Sequence, residues 1–297
     1  MARLELSGVL TATYTPFDAH GAVDERAYRA LCERLVRAGS GLVPCGTTGE
    51  TPTLSDAEYE RVVAIAVEVG KGRVPVVAGT GTNATAKSIE TTRLAKALGA
   101  DAALVVTPYY NKPPQSALLA HYRAVADQGG LPVVLYNVPP RTSCNMTAAT
   151  TLELAKDERF IAVKEAAGLL GQFEDLCDKA PRGFAVLSGD DAWTLPLMAM
   201  GGQGVISVAA NVAPDAVVSM VRAVQAGDFA SARQWHFRLK PLIDALFAVV
   251  NPIPLKRAAA ILGHARPDLR LPLTAEAVDA ALEQRLRAAL DMAGAHA

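Results

Sequence analysis

Leu104-Val105-Val106 and Val133-Val134-Leu135 are short uninterrupted apolar runs, the pattern of strands covered on both faces as in a parallel sheet. They belong to a series. Short β-branched or apolar runs start near Val9, Leu42, Val76, Leu104, Val133, Ile161, Val186 and Val205, so that successive starts lie 33, 34, 28, 29, 28, 25 and 19 residues apart. Helix-like stretches fill the intervals. One opens on Ser55 with Glu58 three residues on, a capping box, and Gly39, Gly70, Gly99 and Gly129 stand where helices are expected to stop. Strands alternating with helices imply parallel pairing, and eight such units predict an α/β fold of the (β/α)8 TIM barrel type. An open doubly wound sheet is the competing architecture for this cadence. After Val208 the strand signal stops. The remainder reads as a C-terminal helical extension, with one helix from Asp228 past Leu246, another from Thr274 to Leu290, and Asn251-Pro252-Ile253-Pro254 as the turn between them. The expected organisation is a barrel over residues 1-225 and a helical domain over 226-297.

With 51% hydrophobic and 20% charged residues among 297, the chain can fill a large core and does not have a disordered composition. Its 29 basic and 30 acidic residues leave a net charge of -1, and no basic run is long enough to follow a phosphate backbone, which argues against nucleic acid. No stretch approaches the roughly 18 uninterrupted apolar residues of a membrane span, and Glu5 interrupts the place of a secretory apolar segment. A soluble, cytoplasmic protein with no membrane partner is expected. Cys32, Cys45, Cys144 and Cys177 are far apart, and His20, His121, His236, His264 and His296 are equally scattered, so idle thiols and no metal are expected. Trp193, Trp235, Phe237, Met198 and Met200 read as helix packing.

In a barrel, chemistry collects at the C-terminal ends of the strands. The sixth strand runs Phe160-Ile161-Ala162-Val163-Lys164-Glu165, and simple alternation puts Ala162 and Lys164 on one face, Ile161 and Val163 on the other. With Ile161 and Val163 against the helices, Lys164 points into the barrel mouth. Enclosure there disfavours an ammonium and favours the free amine that attacks a carbonyl, the property of a Schiff-base lysine. An arbitrary strand-end lysine reaches solvent along its stem instead, so its company decides.

The fifth strand ends in Tyr136 and leads through Asn137-Val138-Pro139-Pro140 to Arg141; the second ends in Cys45, followed by Gly46-Thr47-Thr48-Gly49-Glu50; the fourth ends in Thr107-Pro108-Tyr109-Tyr110-Asn111. A phenol can move a proton at a carbinolamine, a threonine hydroxyl can relay it, and a guanidinium can grip a carboxylate with two hydrogen bonds. The Gly-Thr-Thr-Gly turn offers backbone N-H groups to a ligand carboxylate. Each residue alone has an ordinary structural explanation; together at four strand ends they favour a site. Gly79-Thr80-Gly81-Thr82-Asn83-Ala84 also fits a dinucleotide pattern, but the acidic residue, Asp101, precedes the next strand instead of following it, and the motif falls on the third strand of the series. No nicotinamide or flavin is expected.

At these residues the chain resembles the dihydrodipicolinate synthase (4-hydroxy-tetrahydrodipicolinate synthase) family, within the pyruvate-dependent class I aldolases and lyases. The resemblance covers nearly the whole chain: Gly46 to Glu50, Gly79 to Thr85, Pro108 to Pro113, Tyr136 to Thr142, Lys164-Glu165, Ser188 to Asp191, Gly204 to Ser207 and Asn251 to Pro254. It implies condensation of pyruvate with L-aspartate 4-semialdehyde to the cyclic precursor of diaminopimelate and lysine. It implies Lys164 as the imine-forming amine, Tyr136 as acid/base, Thr47 as a link between Tyr136 and Tyr110, and Thr48 with its turn on the pyruvate carboxylate. Arg141 would bind the carboxylate of the semialdehyde, and Gly189 and the Ile206 carbonyl would line the pocket. Neither metal nor cofactor is implied. Tyr110 would enter the site of a neighbouring subunit, in a homodimer pairing into a homotetramer.

The sequence departs from the family where regulated members bind lysine. A glutamate and a histidine of that site are matched here by Lys87 and Asp56, and a second histidine by Tyr59, while Asn83 and Tyr109 remain. An ammonium in place of a carboxylate repels the inhibitor's amino groups, so weak or absent inhibition by lysine is expected. Two other functions fit parts of the pattern: another pyruvate-dependent aldolase or lyase, acting on N-acetylneuraminate or a 2-keto-3-deoxy sugar acid, and a non-catalytic ligand-binding relative.

Overall fold

The computed structural model describes residues 4–296. Within them eight parallel strands form one sheet: β1 (Gly8–Ala12), β2 (Gly41–Val43), β3 (Val77–Gly79), β4 (Ala102–Val106), β5 (Val133–Asn137), β6 (Phe160–Glu165), β7 (Ala185–Ser188) and β8 (Gly204–Ser207). Each begins within two residues of a start expected from the sequence. The sheet order is β2-β1-β8-β7-β6-β5-β4-β3, and β1 pairs with both β2 and β8. Its two ends meet, because Leu42 bridges Val76, the Leu42 N-H donates to the Pro75 carbonyl at 2.9 Å and the Gly79 N-H to the Pro44 carbonyl at 2.9 Å. The sheet is a barrel, and the open doubly wound alternative is excluded.

Two apolar layers follow from strand alternation. Leu10, Val43, Val77, Leu104, Val134, Ala162, Leu187 and Ile206 meet inside the barrel, while Val105, Val133, Leu135, Val163, Val186 and Val205 join the helices in the outer core. One expectation fails locally. Ile161 lies with the inner cluster instead of facing the helices, because the pairing of β5 with β6 shifts register between Val133 and Val134, which oppose Phe160 and Ala162 and skip Ile161. The bulge ends before Lys164, so Ala162 and Lys164 keep their shared face.

Helices alternate with the strands and stop near the expected glycines. Gly39 and Gly99 are left-handed C-caps, whereas Gly70 and Gly129 close their last turns and Lys71 and Gly130 take the caps. The capping box at Ser55 and Glu58 is formed. Beyond the helix Pro214–Gln225 come the helices Phe229–Leu246, Ile253–Ile261 and Ala280–Ala293. Two readings there need correction. Asn251-Pro252-Ile253-Pro254 is the start of a helix as well as a turn, with Pro placed where the first turn needs no N-H donor. The last helix begins at Ala280 behind its Asp279 N-cap, since Thr274 leads only into the short turn Ala275–Ala277. Phe237 does not pack as expected either and is 65% exposed, whereas Trp193 lies against Phe173, ring centres 5.6 Å apart.

Candidate active site

Lys164 and Tyr136 are direct partners in the ladder between β6 and β5, both on the inner face at the C-terminal ends of their strands. Both are buried, and the Lys164 Nζ lies 4.2 Å from the centre of the Tyr136 ring. Gly189, just beyond β7, makes room for the lysine stem: a Cβ there would lie 3.1 Å from Lys164 Cγ and 2.8 Å from Ala166 Cβ. The Gly189 N-H donates to the Glu165 carbonyl at 2.7 Å, which seals β7 against β6 at this point. Ile206 on β8 is fully buried in the same inner cluster as Tyr136.

Glu165 faces away from Lys164. Its carboxylate accepts from Asn137 Nδ2 at 3.1 Å, Gln172 Nε2 at 2.8 Å and the Ala167 N-H at 2.7 Å. Burial raises the Glu165 carboxyl above its ordinary range, against the lowering effect of these donors. The network locks the end of β6, and with it the direction of the lysine one residue before.

The Gly46 to Glu50 segment folds as a tight turn, with Thr47–Gly49 in 3-10 geometry and Thr48 buried. The Thr48 hydroxyl accepts a hydrogen bond from Asn251 Nδ2 at 2.9 Å, and the Asn251 carbonyl accepts one from Arg141 Nη2 at 3.3 Å. Asn251 thus joins the second-strand turn to the arginine that follows β5. Sequence reading placed no site role on Asn251; the available signal was its place in the Asn-Pro-Ile-Pro segment, which reads locally as turn chemistry. Thr47 is half-buried at the same turn.

Tyr110 is not brought to this cluster. It is 87% exposed, its φ of 72° is left-handed, and among the described residues no hydrogen bond joins it to Thr47 or Tyr136. The glycine-rich segment after β3 has a packing explanation in place of a nucleotide one: a Cβ on Gly79 would lie 2.0 Å from the Cys45 carbonyl oxygen. At the surface, Lys87 Nζ lies 3.5 Å from Asp56 and 3.3 Å from Glu90, while the buried Tyr59 hydroxyl donates to the Gly79 carbonyl at 3.1 Å. The four cysteines are free, and Cys45 next to the turn is buried.

This arrangement can hold an amine beside a phenol in an enclosed mouth, with a hydroxyl-bearing turn and a guanidinium at its rim. The Dihydrodipicolinate synthetase family profile matches residues 5–292. The 4-hydroxy-tetrahydrodipicolinate synthase of Thermomicrobium roseum is 50% identical over 96% of this chain and 94% of its own length, and that of Maridesulfovibrio salexigens 46% identical over 96% and 99%. The crystal structure of dihydrodipicolinate synthase from Aquifex aeolicus superposes with a TM-score of 0.93 at 42% identity, covering 98% of this chain and 99% of that one. The resemblance read from the sequence and the barrel that carries it therefore agree, and the chain belongs to the dihydrodipicolinate synthetase family.

Proposed function

We propose that the chain is a lyase that condenses pyruvate with L-aspartate 4-semialdehyde, the reaction of a 4-hydroxy-tetrahydrodipicolinate synthase. The observation that carries the reading is the buried Lys164 amine against the Tyr136 ring. The amine adds to the keto carbon of pyruvate, and loss of water leaves an imine. The protonated imine accepts the electron pair released when the methyl group gives up a proton, and the resulting enamine carbon attacks the aldehyde, whose oxygen takes up a proton. The amino group of the semialdehyde then adds to the imine carbon and expels the lysine amine, which closes the ring and restores the enzyme. Tyr136 is the proton carrier for the carbinolamine and for the aldehyde oxygen. Thr48 and the turn around it hold the pyruvate carboxylate, Arg141 the carboxylate of the semialdehyde, and Gly189 and the Ile206 carbonyl shape the space beside the imine.

Tyr110, exposed on a strained backbone, supplies its hydroxyl to the site of a second copy, where Thr47 connects it to that copy's Tyr136; this requires a homodimer, and the family resemblance adds the pairing of such dimers into a homotetramer. Residues 1-225 are the catalytic barrel and residues 226-297 its helical domain, and the protein works in the cytoplasm without metal or cofactor. No helix among the described residues is long and apolar enough to cross a membrane. Lysine inhibits weakly or not at all, since the Lys87 ammonium stands where an inhibitor amine would need a carboxylate. Purified protein given pyruvate with aspartate semialdehyde and, separately, with sugar-derived aldehydes tests the substrate. A kcat/KM at least about a hundredfold higher for the semialdehyde is expected, and preference for a sugar aldehyde would overturn the assignment.

A further inference from the structure

We infer that the buried Glu50-Lys256 ion pair positions the Thr47-Thr48 turn, so that the C-terminal helical segment is a working part of the pyruvate-binding half of the site. The inference rests on the reading that this turn holds the pyruvate carboxylate. Glu50 ends the turn with a φ of 53°, and Cys45 precedes it with a φ of 55°. Two side-chain-bearing residues in the left-handed region bracket the four residues Gly46 to Gly49, and such conformations persist only where their surroundings hold them.

The surroundings of Glu50 come from the end of the chain. One carboxylate oxygen pairs with Lys256 Nζ, with side-chain exposures of 1% and 0%, and the other accepts from the Arg270 N-H at 3.1 Å. Lys256 also donates to the Asp268 carbonyl at 2.9 Å, and its Nζ lies 3.9 Å over the Phe17 ring. The Arg270 guanidinium faces the same ring and donates to the Gly21 and Thr53 carbonyls and to Glu58. Lys256 sits on the helix Ile253–Ile261, directly behind Asn251, whose side chain holds Thr48. One segment therefore grips the turn at both Thr48 and Glu50.

Burying an ion pair gains little stability, because desolvation cancels most of the attraction and a neutral pair of the same shape does as well. Burial pushes the Lys256 ammonium down to about 8, against the pull of Glu50. What a neutral pair lacks is a directed charge that pins the carboxylate, and through it the backbone of the turn.

The test compares wild type with the Glu50→Gln, Lys256→Met double variant, using borohydride trapping of pyruvate as a function of pyruvate concentration, with unfolding midpoints and KM for the aldehyde alongside. The variant is expected to stay folded, to need about tenfold more pyruvate for half-maximal trapping, the scale of one weakened charge-assisted hydrogen bond, and to keep its aldehyde KM within about twofold. Glu50→Gln with Lys256→Gln, which likewise leaves no unpaired buried charge, provides the same readout should that double variant not accumulate as folded protein. Val217→Ala, a cavity in the helix Pro214–Gln225, is expected to lower the unfolding midpoint without moving half-saturation, which separates positioning from general loosening. A folded variant with wild-type half-saturation overturns the inference alone; wild type that traps no pyruvate overturns the underlying reading and the inference with it.

Discussion

The Lys164 Nζ sits 4.2 Å from the centre of the Tyr136 ring because the two residues are direct neighbours in the parallel ladder of β5 and β6. Their shared inner face and shared strand ends put amine and phenol in one small space without any loop having to fold over them. The Glu165 network behind the strand fixes that direction from the other side.

Tyr136→Phe keeps the ring that packs in the inner cluster and removes only the hydroxyl. Its unfolding free energy should change by no more than about 1 kcal/mol, while kcat falls by roughly 10²- to 10⁴-fold, the range of a lost general acid/base. Steady-state kinetics beside urea unfolding separates the two, and a variant with wild-type kcat would remove Tyr136 from the chemistry.

Gly189→Ala puts a methyl group 2.8 Å from Ala166 Cβ and 3.1 Å from Lys164 Cγ, with backbone on the remaining side. The overpacking should cost about 1–3 kcal/mol of stability and displace the lysine stem, so imine formation should slow more than the stability loss explains. Stopped-flow trapping at a temperature where the variant is fully folded measures this; an unchanged rate would contradict the packing account.

His121 is 6% exposed, its Nδ1 is bonded to the Thr85 hydroxyl at 2.9 Å, and burial holds the ring down to about 4 from an ordinary 6.5. The fold therefore holds the neutral ring. As pH falls below about 6.5 the unfolded chain takes up the proton first, and stability on the order of 2–3 kcal/mol is lost until the folded ring itself protonates near 4. His264, also pushed to about 4 by burial, acts in the same window and the same direction. Urea midpoints between pH 7 and 4 should fall less steeply in His121→Leu than in wild type; parallel curves would rule the ring out.

On the proposed reading that Lys87, which lies against Asp56 and Glu90, replaces a carboxylate of the family's lysine site, added lysine at millimolar concentration should leave the wild-type rate within about twofold. Inhibition at sub-millimolar lysine in a coupled assay would refute the charge argument.

The barrel was legible because strands covered on both faces leave unbroken apolar runs, and those runs recur at barrel spacing. Lys164 was legible because alternation over two residues survives a bulge that lies upstream; Ile161 was not, since a register shift depends on the partner strand and leaves no local mark. Asn251 and Lys256 were invisible as site residues for another reason. Their partners Thr48 and Glu50 lie about two hundred positions away, and neither spacing nor propensity carries information across that distance. The Thr274 reading failed on a contest between two caps, with Asp279 supplying the hydrogen bond to the Leu282 N-H that the helix starts on.

The central claim is that an amine on the sixth strand forms a covalent bond to pyruvate. Incubating the protein with pyruvate, reducing with borohydride and mapping peptides by mass should place a reduced pyruvate adduct on Lys164, dependent on pyruvate and absent from Lys164→Arg. An adduct on another lysine, or none, would contradict the account.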